Sequence, residues 1–411
     1  MMHTKLFLFL LFVASATTIL SAQVAVVGET VYTMAGEPLQ NATVLITDGK
    51  IATVGPTDEV EIPAGYETLS AKVVTPGLID AHCTVGTSGI FNIEHDQDQL
   101  ERAEPIQPEL RALDAYNAAD RLVDWVRGFG VTTIHTGHAP GELVSGQTLI
   151  VKTKGNTVEE ATVAPATAVA VTLTSAARKS DQKSPGTRGK MLAMLREQLI
   201  KAQEYQAKLS RAAQVDDEEE KQEPDRDLRL EALVRVLQGE LKLMITADRA
   251  QDISSALRLA EEFDLQIWLD SAAESYLVID DIKTSGAAVL IHPTMARAVG
   301  ERENMSFETA ARLREAGIPV AMQSGYEAYV PKTRVVLFEA GQAAANGLSF
   351  EEALGIITID SAKILGIDGR VGSLEVGKDG DVAMYDGDPF EYTTHCTGVI
   401  INGEIVSNEP R

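Results

Sequence analysis

The sequence predicts an α/β fold, a (β/α)8 barrel joined to a β-sandwich that both chain termini build. Two observations lead to this prediction. Short β-branched runs with turn residues fill both ends of the 411-residue chain, whereas the middle alternates apolar runs with amphipathic segments over about 290 residues. We therefore expect the first sandwich part at residues 23–75, the barrel at 76–368 and the second sandwich part at 369–411.

The strand segments at the two ends share a hairpin signature. Near the N-terminus, Asp48-Gly49 separates the β-branched runs Thr43–Thr47 and Ile51–Val54. Near the C-terminus, Asn402-Gly403 interrupts the apolar run Gly398–Val406. Asp-Gly and Asn-Gly favour the positive φ angles of a two-residue hairpin turn. Each pair therefore predicts a β-hairpin.

The middle of the chain alternates strands and helices. Six short apolar runs are candidate strands: Val131–Ile134, Thr148–Lys152, Leu241–Thr246, Leu265–Leu269, Ala287–Ile291 and Ile318–Met322. Five segments have helical periodicity: Gly189–Ala212, Ala250–Phe263, Glu274–Thr284, Ser306–Ala316 and Arg334–Asn346. This alternation predicts a parallel sheet. An open doubly wound sheet is the rival, but no Gly-x-Gly-x-x-Gly turn opens a helix, which favours the barrel.

Residues 1–22 have the pattern of a cleaved signal peptide. Lys5 precedes the apolar run Leu6–Ala14, and Ser21-Ala22 offers small residues before a cleavage point at Gln23. The run is shorter than the roughly 20 apolar residues that span a membrane, so we expect no membrane anchor after cleavage. The sequence therefore predicts an exported protein, periplasmic or extracellular.

Charge and cysteine content exclude several functional classes. The chain carries 36 Lys and Arg against 60 Asp and Glu, a net charge of −24, and has no basic run. A nucleic-acid partner is not expected, because phosphates require a basic surface. The acidic block Asp216–Asp227 is typical of a solvated loop. The two cysteines, Cys83 and Cys396, exclude a disulfide-rich scaffold but would allow one bridge.

Motifs at both ends of the predicted barrel resemble the amidohydrolase superfamily. Thr75–His82 (TPGLIDAH) is similar to the start of that superfamily's barrel. Ser361–Gly366 (SAKILG) and Gly372–Asp381 (GSLEVGKDGD) are similar to its exit from the barrel into the sandwich. Within the superfamily the chain most resembles the secreted, imidazolonepropionase-related group, on three further segments: Gly130–Thr133, Asp248–Ile253 and Arg314–Gly317.

The resemblance implies a metal-dependent hydrolase of C–N bonds. Members hold one or two divalent ions at the C-terminal mouth of the barrel. Their ligands are a His-x-His pair, a mid-barrel Lys or Glu, two further His and a final Asp. The ion lowers the pKa of a bound water, and the resulting hydroxide attacks an amide or related bond. Strand side chains alternate between faces, so both histidines of the pair point into the barrel.

The chain departs from this pattern at nearly every ligand. His82 is present, but the second histidine of its pair is replaced by Thr84, and Cys83 between them should face the surrounding helices. The final Asp corresponds to Gly325. Hydroxyls do not replace imidazole for zinc, so we expect a degraded site that binds no metal. The two later histidines are missing from the segments Ile245-Thr246-Ala247-Asp248-Arg249 and Asp270-Ser271-Ala272-Ala273-Glu274.

Two functional hypotheses follow. In the first, the protein is an impaired or inactive amidohydrolase with a vestigial His82. It is then kept as a binding or partner subunit, beside an active paralogue or as a homo-oligomer. In the second, it is an active hydrolase of cyclic amides or dipeptide-like substrates, with zinc or another divalent ion bound by His82 together with His135, His138 or His292. The missing ligands favour the first hypothesis.

Carboxylates and lysines near the predicted mouth offer weaker candidates. Asp248, Asp270 and Glu274 could form an acid/base pair or a set of oxygen ligands, or could cap helices. Lys152 and Lys154 follow a strand where a bridging lysine could lie. No Gly-x-Ser-x-Gly elbow supports a serine nucleophile.

Overall fold

The computed structural model describes residues 23–91, 93–180, 183–214, 224–326 and 335–411. The expected signal peptide and most of the acidic block lie outside these residues. The strands are β1 (Val24–Val31), β2 (Leu39–Thr47), β3 (Lys50–Pro56), β4 (Glu67–Pro76), β5 (Leu78–Cys83), β6 (Val131–Thr136), β7 (Val144–Gln147), β8 (Leu149–Lys152), β9 (Thr162–Ala164), β10 (Ala168–Thr172), β11 (Lys242–Thr246), β12 (Ile267–Ser271), β13 (Ala288–Ile291), β14 (Val320–Met322), β15 (Val382–Tyr385), β16 (Cys396–Ile401) and β17 (Glu404–Ser407). The helices are α1 (Arg121–Arg127), α2 (Val158–Ala161), α3 (Arg188–Ala213), α4 (Leu228–Leu237), α5 (Ala250–Phe263), α6 (Ile279–Ser285), α7 (Thr309–Glu315), α8 (Val336–Ala345), α9 (Phe350–Gly355) and α10 (Ile359–Leu365).

Both termini contribute to one seven-stranded sheet, in the order β17-β16-β15-β4-β1-β2-β3. Strand β15 pairs antiparallel with β4, which joins the C-terminal strands to the N-terminal ones. Both predicted hairpins are confirmed. Asp48-Gly49 connects β2 to β3 and Asn402-Gly403 connects β16 to β17, all four residues with positive φ. The sandwich domain is thus built from both termini, as predicted.

The barrel is formed by two sheets that meet at two seams. Their strand orders are β14-β13-β12-β11-β10-β7 and β5-β6-β8-β9. At one seam, the backbone N–H of Thr148, between β7 and β8, donates to the carbonyl of Ala168 in β10 at 2.9 Å. At the other seam, Cys83 of β5 forms a parallel bridge with Gly325, just after β14. These contacts join the strands into the predicted barrel, whose inner core includes Met244 and Trp268.

One position of the barrel departs from the predicted parallel arrangement. Strands β7 and β8 run antiparallel to their neighbours β10 and β6. A parallel connection needs a crossover of about a dozen residues or more, usually a helix. Only a short loop separates Thr136, the end of β6, from Val144, the start of β7. The chain therefore returns as a hairpin, and the prediction of a wholly parallel sheet is wrong at this strand.

The helices mostly follow the predicted segments. Helix α5 has the predicted bounds, Ala250–Phe263. The predicted helix Glu274–Thr284 is divided into a 3₁₀ turn and α6, because Val278 between them has a non-helical backbone (φ −131°, ψ 34°). In the part of the chain that the structure describes, no helix is both long and apolar enough to cross a membrane.

Candidate functional site

Polar side chains from distant parts of the chain meet at the C-terminal ends of the barrel strands. His82 lies near the end of β5, Thr246 ends β11, Asp270 lies in β12, and Gln323 follows β14. All four are buried. Parallel barrel strands end at a common rim, where barrel enzymes have their active sites. We call these four residues the mouth cluster.

Asp270 is the centre of the mouth cluster. Its Oδ1 accepts hydrogen bonds from His82 Nδ1 at 2.8 Å and from Gln323 Nε2 at 2.9 Å. Its Oδ2 accepts from Thr246 Oγ1 at 2.7 Å. Donors of the protein itself thus engage both carboxylate oxygens.

The charges of His82 and Asp270 stabilise each other. Burial opposes the charged form of His82, but the Asp270 carboxylate raises the pKa of His82 above its ordinary value. Burial also acts to raise the pKa of Asp270, but the charge of His82 and the three hydrogen bonds hold it below its ordinary value. The pair therefore favours an imidazolium beside a carboxylate in the barrel interior.

A second buried carboxylate, Asp80, ties β5 to the segment after β14. Its Oδ1 accepts the backbone N–H of Ser324 at 3.1 Å and that of His82 at 3.3 Å, and the Ser324 hydroxyl donates to Oδ2. Burial raises the pKa of Asp80 from near 3.8 to about 7, and the hydrogen bonds oppose this shift only in part. Asp80 therefore gains or loses its proton near neutral pH.

We expect the stability of Asp80→Asn relative to the wild type to increase with pH. The native pKa of Asp80 lies above its unfolded value, so its contribution to the free energy of unfolding is present below about pH 4. As the pH rises towards about 7, the free energy of unfolding loses this contribution, which amounts to about 4 kcal/mol in total. Urea denaturation at pH 5 and pH 8 measures the effect, with Asp280→Asn in the exposed first turn of α6 as the control. An equal difference between variant and wild type at both pH values would contradict the expectation.

Asp248, the other candidate acid or base, lies beside a strained turn. Its Oδ1 accepts a hydrogen bond from Ser271 Oγ at 2.5 Å. Burial raises the pKa of Asp248 to about 6, opposed by the Ser271 hydrogen bond and the charge of Arg302. Ser271 and Ala272 have φ of 64° and 50°, which L-residues rarely adopt. The end of β12 is therefore held in a strained conformation next to the mouth cluster.

Tyr326 packs against the mouth cluster. Its ring centroid lies 5.7 Å from that of His82. Burial raises the pKa of the Tyr326 hydroxyl well above its ordinary value, and the nearby carboxylates of Asp248 and Asp270 add to the shift. An aromatic ring thus lies directly against the imidazole of His82.

His135 is near His82 but is held by other partners. The two ring centroids are 5.9 Å apart. His135 Nδ1 donates to the carbonyl of Ala81, and its Nε2 bonds to Thr148 Oγ1, both at 2.7 Å. Burial lowers the pKa of His135 to about 3, so the ring is neutral. Both of its nitrogens are occupied by hydrogen bonds.

His138 and His292 are buried neutral histidines. Burial lowers the pKa of each to about 4. His292 Nδ1 bonds to the carbonyl of Pro293 at 3.2 Å, and its Nε2 makes no hydrogen bond to the described residues. The carbonyl of Leu110 lies close to the His138 ring, without the geometry of a full hydrogen bond.

The candidate lysines point away from the mouth. Lys152 Nζ lies 3.2 Å from Asp379 Oδ2 and also pairs with Asp381, and Lys154 pairs with Glu404 at 2.5 Å. Neither lysine is placed to bridge ions at the mouth, because antiparallel β8 ends at the opposite rim of the barrel from its neighbour β6.

The remaining candidates have structural roles. Glu274 Oε2 accepts the backbone N–H of Ala250 at the start of α5, so this residue caps a helix, which was one of its predicted roles. Cys83 and Cys396 are buried free thiols. Cys83 packs in the hydrophobic cluster that includes α1, as expected for a side chain facing the helices.

Sequence reasoning missed several residues of the site. Gln323 and Tyr326 follow β14 without any recognisable motif, and Arg302 ends a short 3₁₀ helix (Gly300–Arg302) after β13. Thr246 belongs to a segment noted only for a missing histidine. The spacing of Gln323 after the predicted strand Ile318–Met322 is the one signal that could have placed it at the mouth.

The side chains present do not fit the divalent ion that the resemblance implies. Such ions are held by imidazole, thiolate or carboxylate groups. His82 Nε2 makes no strict hydrogen bond, although the carbonyl of His138 approaches the ring. Thr84 offers only a hydroxyl, which accepts from Ser88 Oγ at 2.9 Å. Across the described ranges, no group of three His, Cys, Asp or Glu residues could hold a metal ion.

Comparison with known proteins identifies the lineage. The sequence profile of the Amidohydrolase family matches residues 114–407. The fold is similar to the crystal structure of an amidohydrolase from Thermotoga maritima MSB8, with a TM-score of 0.88 and 26% identity over 94% of this chain and 100% of that one. The chain is also 26% identical over 392 residues to the imidazolonepropionase of Maricaulis maris, covering 90% of this chain and 94% of that protein. The chain therefore belongs to the Amidohydrolase family.

Another relative matches over a shorter segment. The imidazolonepropionase of Syntrophobacter fumaroxidans is 30% identical over 154 residues, 36% of this chain. The matched segment spans about a third (34%) of that relative's length.

Proposed function

We propose that this protein is a catalytically impaired or inactive member of the Amidohydrolase family, kept as a binding or partner subunit. The observation that carries the proposal is the set of hydrogen bonds that His82 and its neighbours make with one another. His82 donates to Asp270, whose oxygens also accept from Thr246 and Gln323. Donors of the protein itself therefore compensate the Asp270 carboxylate, so this carboxylate needs no ion to balance it.

The backbone at Gly325 supports the same proposal. The resemblance aligns Gly325 with the family's final metal-binding Asp, and the φ of Gly325 is 90°, a conformation that favours glycine. A Cβ atom built on this residue would lie 2.7 Å from Pro293 Cγ. An aspartate here would therefore be strained and would require Pro293 to shift, which disfavours restoring the ligand by a single substitution.

One observation favours a second candidate, an active C–N hydrolase with a rearranged site. Nε2 of His82 and Nε2 of His292 are buried and make no strict hydrogen bond to the described residues. Together with His135 or His138, these two histidines would have to supply the ligands. Both nitrogens of His135 are already engaged, which leaves His138, whose two ring nitrogens also make no hydrogen bond to the described residues, as the third ligand of this candidate.

Hydrolysis assays separate the two candidates. The purified protein is incubated with imidazolonepropionate and a panel of dipeptides, with and without added Zn²⁺ or Mn²⁺. We expect no turnover above buffer. Turnover that is lost in His82→Ala and in His292→Ala, but kept in the exposed His395→Ala control, would establish the rearranged hydrolase instead.

We also propose that the protein is exported and acts beside a partner. The signal-peptide pattern of residues 1–22 supports export. Mass spectrometry of the protein from its own host should give Gln23 as the first residue, and an intact N-terminus would contradict export. Light scattering after gel filtration measures the molar mass in solution and so shows whether the chain forms a homo-oligomer. If the protein is a monomer, the partner we expect is a different amidohydrolase chain.

A further inference from the structure

A cavity lies at the N-terminal end of the barrel, opposite the mouth cluster. Its volume is about 990 Å³. Ile267, Ala288 and Val320, at the starts of β12, β13 and β14, line it together with the loops before these strands. Small-molecule sites commonly enclose about 300–1,000 Å³, so this cavity, which we call the lower cavity, has the size of a ligand site.

Apolar side chains form much of the lining of the lower cavity. Leu265, Ile318 and Ile364 contribute aliphatic surface. Trp268 borders the cavity but is only 4% exposed, because its ring packs in the inner core of the barrel. The body of an apolar ligand would cover this surface and remove it from water.

The charged groups around the lower cavity differ in their partners. Arg314 is neutralised by Asp360 at 2.5 Å and by Glu352 at 3.4 Å. Lys242 is half-buried, and its ammonium donates to the neutral side chain of Gln266. Burial lowers the pKa of Lys242, the effect expected for an ammonium that is partly removed from water without a paired carboxylate.

Two further charged groups complete the lining. Lys363 is exposed and adds a second positive charge. Asp264 lies at the C-terminal end of α5 and adds a negative one. The lining thus carries three positive and three negative groups, which sum to zero, in a protein whose net charge is −24. The Arg314 charge is taken up by its own acids, whereas the Lys242 ammonium donates to a neutral amide, which favours an anionic ligand at Lys242.

We propose that the lower cavity binds small organic carboxylates with an aromatic or aliphatic body. The carboxylate pairs with the Lys242 ammonium, and the body packs on the half-buried side chains of Leu265 and Ile364, with Trp268 at the border of the cavity. A partly desolvated ammonium gains a charge-assisted hydrogen bond from such a ligand. The site lies apart from the mouth cluster and does not depend on the function proposed above.

The test uses 3-phenylpropanoate and its neutral isostere 3-phenylpropanamide. The chain has two tryptophans, so Trp125→Phe leaves Trp268 as the only one, and its fluorescence reports occupancy of the lower cavity. Calorimetry on the wild type gives the affinity independently. We expect saturable binding of the acid, with a Kd at least about tenfold lower than that of the amide.

Variants locate the carboxylate. Lys242→Met should raise the Kd of the acid about tenfold or more, while Lys208→Met, on the exposed face of α3, should leave it unchanged. Circular dichroism verifies that each variant is folded. The comparison of the acid with the amide is made on protein that keeps Lys242, so it tests the proposal even if Lys242→Met does not fold. No saturable binding at 10 mM acid, equal affinity for the amide, or an unchanged Kd in folded Lys242→Met would each overturn the proposal.

Discussion

Asp270→Ala is expected to lower the free energy of unfolding by about 3–5 kcal/mol at pH 7. The substitution leaves His82 Nδ1, Thr246 Oγ1 and Gln323 Nε2 without their shared acceptor. It also removes the carboxylate that balances the charge of His82. Urea denaturation measures the loss, and Asp280→Ala, at an exposed carboxylate of α6, controls for the removal of one negative charge.

Asp270→Asn separates the charge from the hydrogen bonds. Asparagine keeps an acceptor for His82 and Gln323 and can donate its amide to the Thr246 hydroxyl, so we expect a smaller loss of stability. Without the carboxylate, burial should lower the pKa of His82 below its ordinary value, as it lowers that of His135 to about 3. An NMR titration measures this pKa. An unchanged His82 pKa, or an Asp270→Ala protein as stable as the wild type, would contradict the account of the mouth cluster.

Lys152→Met is expected to cost about 3–5 kcal/mol, because Lys152 pairs with two buried carboxylates where the barrel meets the sandwich. Only 4% of the Lys152 side chain and 3% of the side chains of Asp379 and Asp381 are exposed. In the variant, Asp379 keeps Lys50 at 2.5 Å and Arg370 at 2.9 Å. Asp381 keeps the backbone N–H of Asn402 as an uncharged donor. The charge of Asp381 is thus left without its ammonium.

The loss should depend on pH. Burial acts to raise the pKa of Asp379, but Lys152, Lys50 and Arg370 hold it below its ordinary value. Without Lys152, protonation of a buried carboxylate relieves part of the cost, so the deficit should be smaller at pH 4.5 than at pH 7. Lys154→Met is the matched control, since it breaks only the pair between half-buried Lys154 and exposed Glu404 and should cost less than about 1 kcal/mol. Equal losses in the two variants would contradict a central role for Lys152.

Local sequence patterns predicted much of the fold because their physical causes are local. Asp48-Gly49 and Asn402-Gly403 adopt positive φ in the turns where their residue types require it. Helix α5 has its predicted bounds because its apolar periodicity is strong. The antiparallel β7 and β8 were not predicted, because strand direction depends on the length of the preceding loop and on the neighbouring strands.

The candidate site was predictable only in part. The motif TPGLIDAH placed His82 at the mouth, and the absence of its paired histidine was visible from Thr84. The partner of His82 was not visible, because Asp270 is 188 residues away in sequence and the two meet only through the barrel register. The obstacle at Gly325, its positive φ beside Pro293, likewise appears only in three dimensions.

Metal content tests the central claim, a mouth in which His82 is paired with Asp270 and no catalytic ion is bound. The mature protein is purified, dialysed mildly without chelator, and analysed by elemental mass spectrometry, with His82→Ala and the exposed His395→Ala in parallel. We predict zinc, iron and manganese far below one ion per chain, at the same level in all three proteins. About one ion per chain in the wild type and in His395→Ala, lost in His82→Ala, would contradict the account and make the protein a metal-dependent hydrolase with a rearranged site.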